Sequence, residues 1–131
     1  LLQGKRVLVT EDNELNLEIT EQFLEIMGIE SSPVRDGAEA VDMFSSSPSG
    51  TFDAILMDIQ MPKMDGYEAT KAIRSLPRED AASVPIIAIT ANAFREDMER
   101  ALSCGMNDHL SKPVDVKKLQ EILIKYCCGR E

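Results

Sequence analysis

The stretch Phe52-Asp53-Ala54-Ile55-Leu56-Met57-Asp58-Ile59-Gln60-Met61-Pro62-Lys63-Met64-Asp65-Gly66 constrains the fold more than any other part of the chain. Ala54 to Met57 is apolar at every position and too short for a helix, the signature of a strand buried on both faces of a parallel sheet. Such a strand needs helices on both sides. The run closes on an acid, Asp58, and then breaks: Pro62 fixes the backbone, and Asp65 ahead of Gly66 and a periodic segment reads as a helix start. Asp58 therefore falls at the carboxyl end of a strand, where the loops of open α/β sheets diverge and ligands bind.

The rest of the chain repeats this alternation. Lys5 to Thr10 predicts a strand, Glu11-Asp12-Asn13 follows it, and a helical pattern runs from Glu14 to Met27 and stops at Gly28. Ile29 to Val34 predicts a weaker strand whose Pro33 suits a sheet edge. Gly37 to Phe44 predicts a short helix and Ser45 to Gly50 a loop. After the strand to Asp58 come a helix over Tyr67 to Leu76, a polar loop from Pro77 to Val84 and a strand from Pro85 to Ile89 ending at Thr90. Phe94 to Cys104 predicts a helix closed by Gly105, and Asp108 to Leu110 a short strand leading into Ser111-Lys112-Pro113. Asp115 caps a last helix with Val116, Leu119, Ile122, Leu123 and Tyr126 on its core side. Five strand and helix alternations with right-handed crossovers give a doubly wound five-stranded parallel sheet covered by five helices, expected in the order 2-1-3-4-5.

The first helix carries more apolar surface than one docking face requires. On a helical wheel Leu15, Ile19, Phe23, Ile26 and Met27 fall within an arc of about 120°, with Glu14, Glu18, Glu21 and Glu25 opposite, while Leu17 and Leu24 lie outside that arc. The arc is expected to face the core. The Leu17/Leu24 strip is either an extension of a wide buried face or a surface for a partner.

Composition bounds the function. The 131 residues fit one domain with a real core, 44% of them hydrophobic, and no linker or repeat divides them. A formal charge of −9, with no gathered patch of lysine and arginine, argues against a nucleic-acid partner and for a protein or a metal. No apolar stretch approaches the roughly 20 residues a bilayer requires, so the chain is expected to be soluble and cytoplasmic, with no direct membrane insertion. Cys104, Cys127 and Cys128 are too few and too badly spaced for a disulfide framework or a zinc site and read as reduced thiols. The chain begins with Leu1 rather than Met, which reads either as a segment cut from a longer polypeptide or as a trimmed chain.

Chemistry gathers at the strand ends. The first strand delivers Glu11 and Asp12 to the carboxyl edge, the third Asp58, the fourth Thr90 and the fifth Lys112. Neighbouring strands lie about 4.8 Å apart, so the acids of the adjacent first and third strands converge and repel unless a cation sits among them. Oxygen ligands with open positions suit Mg²⁺. Around such an ion the set reads as phosphoryl-transfer equipment: Asp58 as carboxylate nucleophile, Lys112 neutralising the phosphoryl oxygens and the Thr90 hydroxyl donating to one of them. Taken singly, Asp12 or Asn13 could simply cap the following helix, Lys112 could be a solvated lysine and Thr90 a strand-end hydroxyl. Their conjunction at one edge outweighs those separate readings.

At these residues the sequence resembles the receiver domain of two-component response regulators over essentially its whole length. Glu11-Asp12-Asn13, Met57 to Gly66, Thr90-Ala91-Asn92-Ala93 and Lys112-Pro113 occur in that family's order and spacing, and the wording of Met57 to Pro62 and of Met106 to Pro113 is most similar to receivers fused to hybrid sensor histidine kinases. The resemblance implies a flavodoxin-like fold and a single receiver domain over residues 1–131, excised from a longer hybrid kinase. It implies that Asp58 takes a phosphoryl group from the phosphohistidine of a histidine kinase or histidine phosphotransfer domain. Asp12, Asp58 and the Gln60 carbonyl would bind Mg²⁺ with Glu11 helping through water, and Thr90 and Lys112 would read the phosphoryl group. It further implies a cis peptide before Pro113, influence of Gln60 and Asn92 on hydrolysis, and an isolated domain that catalyses its own phosphorylation and dephosphorylation, with tethering to a membrane-bound sensor in the full-length protein. The family's aromatic switch position is His109 here, either an imidazole that rotates inward when Thr90 moves or an exposed strand residue with no switching role.

Three rivals share parts of this pattern. A dehalogenase-type phosphatase wants a second acid two residues after its nucleophile, where Gln60 stands. A flavodoxin-like electron carrier needs a phosphate loop after the first strand, where Glu11 and Asp12 would repel the flavin phosphate. A pseudo-receiver would keep the fold as a binding module and never be phosphorylated. Docking of a partner is expected on the first helix, through Leu15 or the Leu17/Leu24 strip.

Overall fold

Short apolar runs alternate with amphipathic segments, and the computed structural model, which describes residues 2–61, 64–91, 95–112 and 114–127 (95–97 by backbone alone), turns that alternation into one sheet. The strands are β1 (Arg6–Thr10), β2 (Glu30–Val34), β3 (Ala54–Asp58), β4 (Ile86–Thr90) and β5 (Asp108–Ser111). All pair in parallel in the order β2-β1-β3-β4-β5, as expected. The helices are α1 (Glu14–Ile26), α2 (Gly37–Ser46), α3 (Gly66–Arg74), α4 (Arg95–Cys104) and α5 (Val116–Cys127). The expected helix start at Phe94, and Pro62 and Cys128, lie outside the described residues.

Side chains alternate along each strand, and the two faces are buried by different helices. Leu8, Ile55, Met57, Ile86 and Ala88 meet Ala40 and Phe44 of α2, Ala69 and Ile73 of α3 and Ala101 and Cys104 of α4. Val7, Val9, Leu56, Ile87, Ile89 and Leu110 meet Leu17 and Leu24 of α1 and Leu119 and Leu123 of α5. The central strands β3 and β4 are buried at every position, whereas β2 reads exposed, half-buried, half-buried, exposed, buried, the profile of an edge strand that tolerates Pro33.

The structure reverses the expected face of α1. Leu17, Thr20 and Leu24 are the buried residues, at spacings of three and four that form one stripe against the sheet. Leu15, Ile19 and Ile26 of the expected core arc are exposed, at 64%, 38% and 78%, and only Phe23 and Met27 are partly buried. The reason is Thr20. Counted as polar it breaks the stripe, yet it spends its place between the two leucines inside the core. In α5, Leu119 and Leu123 are buried and Ile122 and Tyr126 partly so, as expected, but Val116 is exposed.

The loop expected from Pro77 to Val84 contains a 3₁₀ turn, Glu79–Ala81, fixed by two arginines. The Arg78 guanidinium lies 4.4 Å over the Phe44 ring and pairs with Asp80, whose carboxylate also accepts the Gly50 amide. Arg74 donates to the carbonyls of Ala81, Val84 and Gly105 and to Asn107 Oδ1, which in turn accepts the Ile86 amide. These bonds tie the end of α3 to the starts of β4 and β5.

Candidate functional site

Where β1 and β3 end side by side, their acids meet. Val9 pairs with Leu56 and Thr10 with Met57, so Glu11 and Asp12 leave β1 beside Asp58. Glu11 and Asp58 are 3% and 1% exposed, and Asp12 is exposed at the rim. One carboxylate oxygen from each lies within 4.8 Å of the others. The expected convergence of the three acids is what the structure shows.

Glu11 and Asp58 are each held by a backbone amide as well as by their place at a strand end. The Asn13 amide donates to Glu11 Oε2 (3.2 Å) and the Gln60 amide to Asp58 Oδ1 (3.2 Å). Asn13, not Asp12, caps α1, accepting the Asn16 amide at 3.0 Å, which leaves Asp12 outside the cap. Asp65 caps α3 in a reciprocal capping box with Glu68. Gly66 then packs so close to the end of β3 that a Cβ there would lie 2.5 Å from the Asp58 carbonyl oxygen. Only glycine lets α3 start against the strand that bears Asp58. Sequence patterning marked Gly66 as a helix start but not as this contact.

Lys112 enters from the end of β5. Its backbone amide donates to the Thr90 carbonyl at 2.8 Å, joining the ends of β4 and β5. Its Nζ stands 2.9 Å from Asp58 Oδ2 and 3.3 Å from Glu11 Oε1. Glu11 thus meets the lysine directly. Burial would pull the Lys112 ammonium down, but the hydrogen bond and charge of Asp58, with Glu11 beside them, hold it above its usual range. Burial, reinforced by Glu11, pushes the Asp58 carboxyl up from 3.8 to about 7 against the opposing pull of Lys112.

Three carboxylates thus face one ammonium, and the excess of negative charge in a buried site is what a divalent cation neutralises. The donors are all hard oxygens, which fit Mg²⁺. Beside Glu11 and Lys112 lies a cavity of about 40 Å³, lined also by Asn16, Ile19, Thr20 and Val114.

Thr90 is buried at the end of β4. His109 pairs with Ala88 and Ser111 with Thr90, so strand alternation sets His109 on the same sheet face as Thr90, one strand over. Its side chain is 44% exposed, with Nδ1 3.8 Å from Asp108 Oδ1. Asn92 and Pro113, including the cis peptide implied at Pro113, lie outside the described residues.

The chain is thus a doubly wound α/β domain with an acid cluster and a lysine at the carboxyl ends of its strands, the edge where open α/β sheets bind ligands. Within that class, the Response regulator receiver domain matches residues 7–124, and the chain belongs to this family. It is 42% identical, over 95% of its length, to the hybrid signal transduction histidine kinase L of Dictyostelium discoideum, and 40% identical over 95% to the sensor protein GacS of Pseudomonas syringae pv. syringae. It spans only 7% and 14% of those two kinases. Among solved structures it resembles the receiver domain of a sensor histidine kinase of Pseudomonas aeruginosa PAO1 that has a magnesium ion coordinated in the active-site cleft (TM-score 0.85, 42% identity, 95% of this chain and 98% of that one). It also resembles a Saccharomyces cerevisiae complex of a histidine phosphotransfer signalling protein with the receiver domain of its downstream response regulator (TM-score 0.88, 33% identity, 99% and 93%). No helix among the described residues is long and apolar enough to cross a membrane.

Proposed function

We propose that this domain accepts a phosphoryl group on Asp58 from a phosphohistidine and acts as the receiver of a longer hybrid histidine kinase in a phosphorelay. The observation that carries this reading is the buried Asp58 carboxylate, bonded to Lys112 Nζ at 2.9 Å with Glu11 and Asp12 beside it. A carboxylate oxygen of Asp58 attacks phosphorus, the P–N bond to the histidine breaks, and the imidazole leaves with the electron pair and takes a proton. Lys112 neutralises charge on the phosphoryl oxygens and the Thr90 hydroxyl donates to one of them. Asp12, Asp58 and the Gln60 carbonyl would hold Mg²⁺, with Glu11 alongside, and the ion supplies charge neutralisation when bound.

On this reading the added charge at Asp58 shifts the population of conformers through Thr90, with His109 as the switch residue on the same face. The partner is a helical histidine phosphotransfer domain or kinase on the cytoplasmic side, with the whole protein tethered wherever its sensor spans a membrane. It docks on α1 through Leu15 and Ile19, which stand exposed beside the site; the Leu17/Leu24 strip is committed to the core. The magnesium-bound and phosphotransfer-bound relatives support this reading by analogy.

The test is transfer from a phosphorylated histidine phosphotransfer domain. Wild type gains the phosphoryl group, Asp58→Asn does not, and Leu15→Glu slows transfer at least about tenfold, as a charge placed at an apolar contact should. Labelling of Asp58→Asn contradicts the acceptor assignment, and an unchanged rate in Leu15→Glu contradicts the docking face. No transfer to folded wild type would favour a pseudo-receiver.

A further inference from the structure

We propose that Gly37, at the start of α2, is a positioning residue for the divalent-cation site, because its missing side chain lets α2 brace the β3–α3 loop that carries Gln60. The inference rests on the cation reading above. The loop leaves the site at Gln60 and rejoins the fold at Gly66, whose amide donates to the Ile59 carbonyl at 2.8 Å. A further anchor comes from a different element: the Gly37 amide donates to the Met64 carbonyl at 3.2 Å. A Cβ on Gly37 would overlap that same Met64 carbonyl oxygen and approach Met64 Cγ to 3.0 Å and Ala69 Cβ to 3.1 Å.

These neighbours differ in how far they can yield. Ala69 is wholly buried in α3, and α2 is fixed from behind by Ala40 and Phe44, both 0% exposed. The start of α2 is set by its Asp36 cap, which accepts the Glu39 amide at 2.9 Å. What can move is the loop backbone at Met64. At its other end Gly66 is pressed against Asp58 and Ile59 with equal tightness. A shift at Met64 therefore bears on Gln60, which donates its amide to Asp58 Oδ1 and, on the cation reading, would offer its carbonyl to the ion. Groups that orient metal ligands without touching the metal typically change affinity by about 10- to 100-fold.

The experiment is a Mg²⁺ titration followed by backbone amide NMR on wild type, Gly37→Ala and Gly4→Ala. Gly4 has a φ of +86° with open space around it, so its substitution strains the backbone without touching the loop. Gly37→Ala is expected to bind Mg²⁺ about tenfold more weakly, while Gly4→Ala binds as wild type does. In wild type the Gly37 amide signal shifts along the same saturation curve as that of Gln60, a readout open to measurement even if Gly37→Ala fails to fold. A Gly37 signal that stays still while Gln60 moves overturns the proposal, and so does unaltered affinity in Gly37→Ala. Absence of saturable binding by wild type overturns the cation reading itself, a result distinct from either.

Discussion

Asp58 bears a cost in the absence of a cation. Its folded-state carboxyl sits at about 7 against 3.8 for the free group, raised first by burial and then by Glu11. A group raised in this way contributes stability that is fully present below about 3.8 and is lost as pH climbs to about 7. In metal-free protein, Asp58→Asn should therefore gain on wild type across that interval, and chemical denaturation over the pH range measures the gap. A gap that does not widen as pH rises contradicts a buried, charge-crowded Asp58. At this scale the sequence showed the acids, the lysine and the threonine, because each closes an apolar strand and the strand order brings those ends together. It did not show the contacts of Gly37 and Gly66, since a glycine's reason for being small lies in whatever approaches it from a distant element. The direct Lys112–Glu11 bond was hidden for a similar cause, as nothing local announces a contact between residues 101 apart.

The helices show where pattern reading fails. In α1 six apolar side chains, with Met27 at the C-cap, compete for one docking face, and counting favoured the larger arc. Packing instead selected the stripe of Leu17, Thr20 and Leu24, which one threonine disguised. Leu24→Ala should cost about 3 kcal/mol of stability, the usual toll for emptying a filled core position, whereas Ile26→Ala, at a site 78% exposed, should stay within about 0.5 kcal/mol. Urea denaturation of both variants checks the assignment. Equal losses would return Ile26 to the core. The α3–β4 connection was opaque for a different reason: Arg74 and Arg78 each spend the guanidinium on backbone carbonyls or a half-buried acid, and such capping leaves no periodic trace.

For the molecule as a whole, the alternation of buried strands and helices carried the fold, because a parallel sheet covered on both faces leaves few ways to thread the chain. Order 2-1-3-4-5 puts β1 beside β3 and so the first acids beside Asp58; any other neighbour for β1 would have scattered them. Family membership, the acid cluster and the half-buried Lys112 support the proposed chemistry, acceptance of a phosphoryl group by Asp58. The most direct test is the intact mass after incubation with Mg²⁺ and a small phosphodonor such as acetyl phosphate, alongside Asp58→Asn and a chelator control. The account predicts the gain of one phosphoryl group by wild type alone and only with the metal present. Folded wild type that gains nothing with Mg²⁺ present, or an Asp58→Asn variant that gains as much, would contradict it.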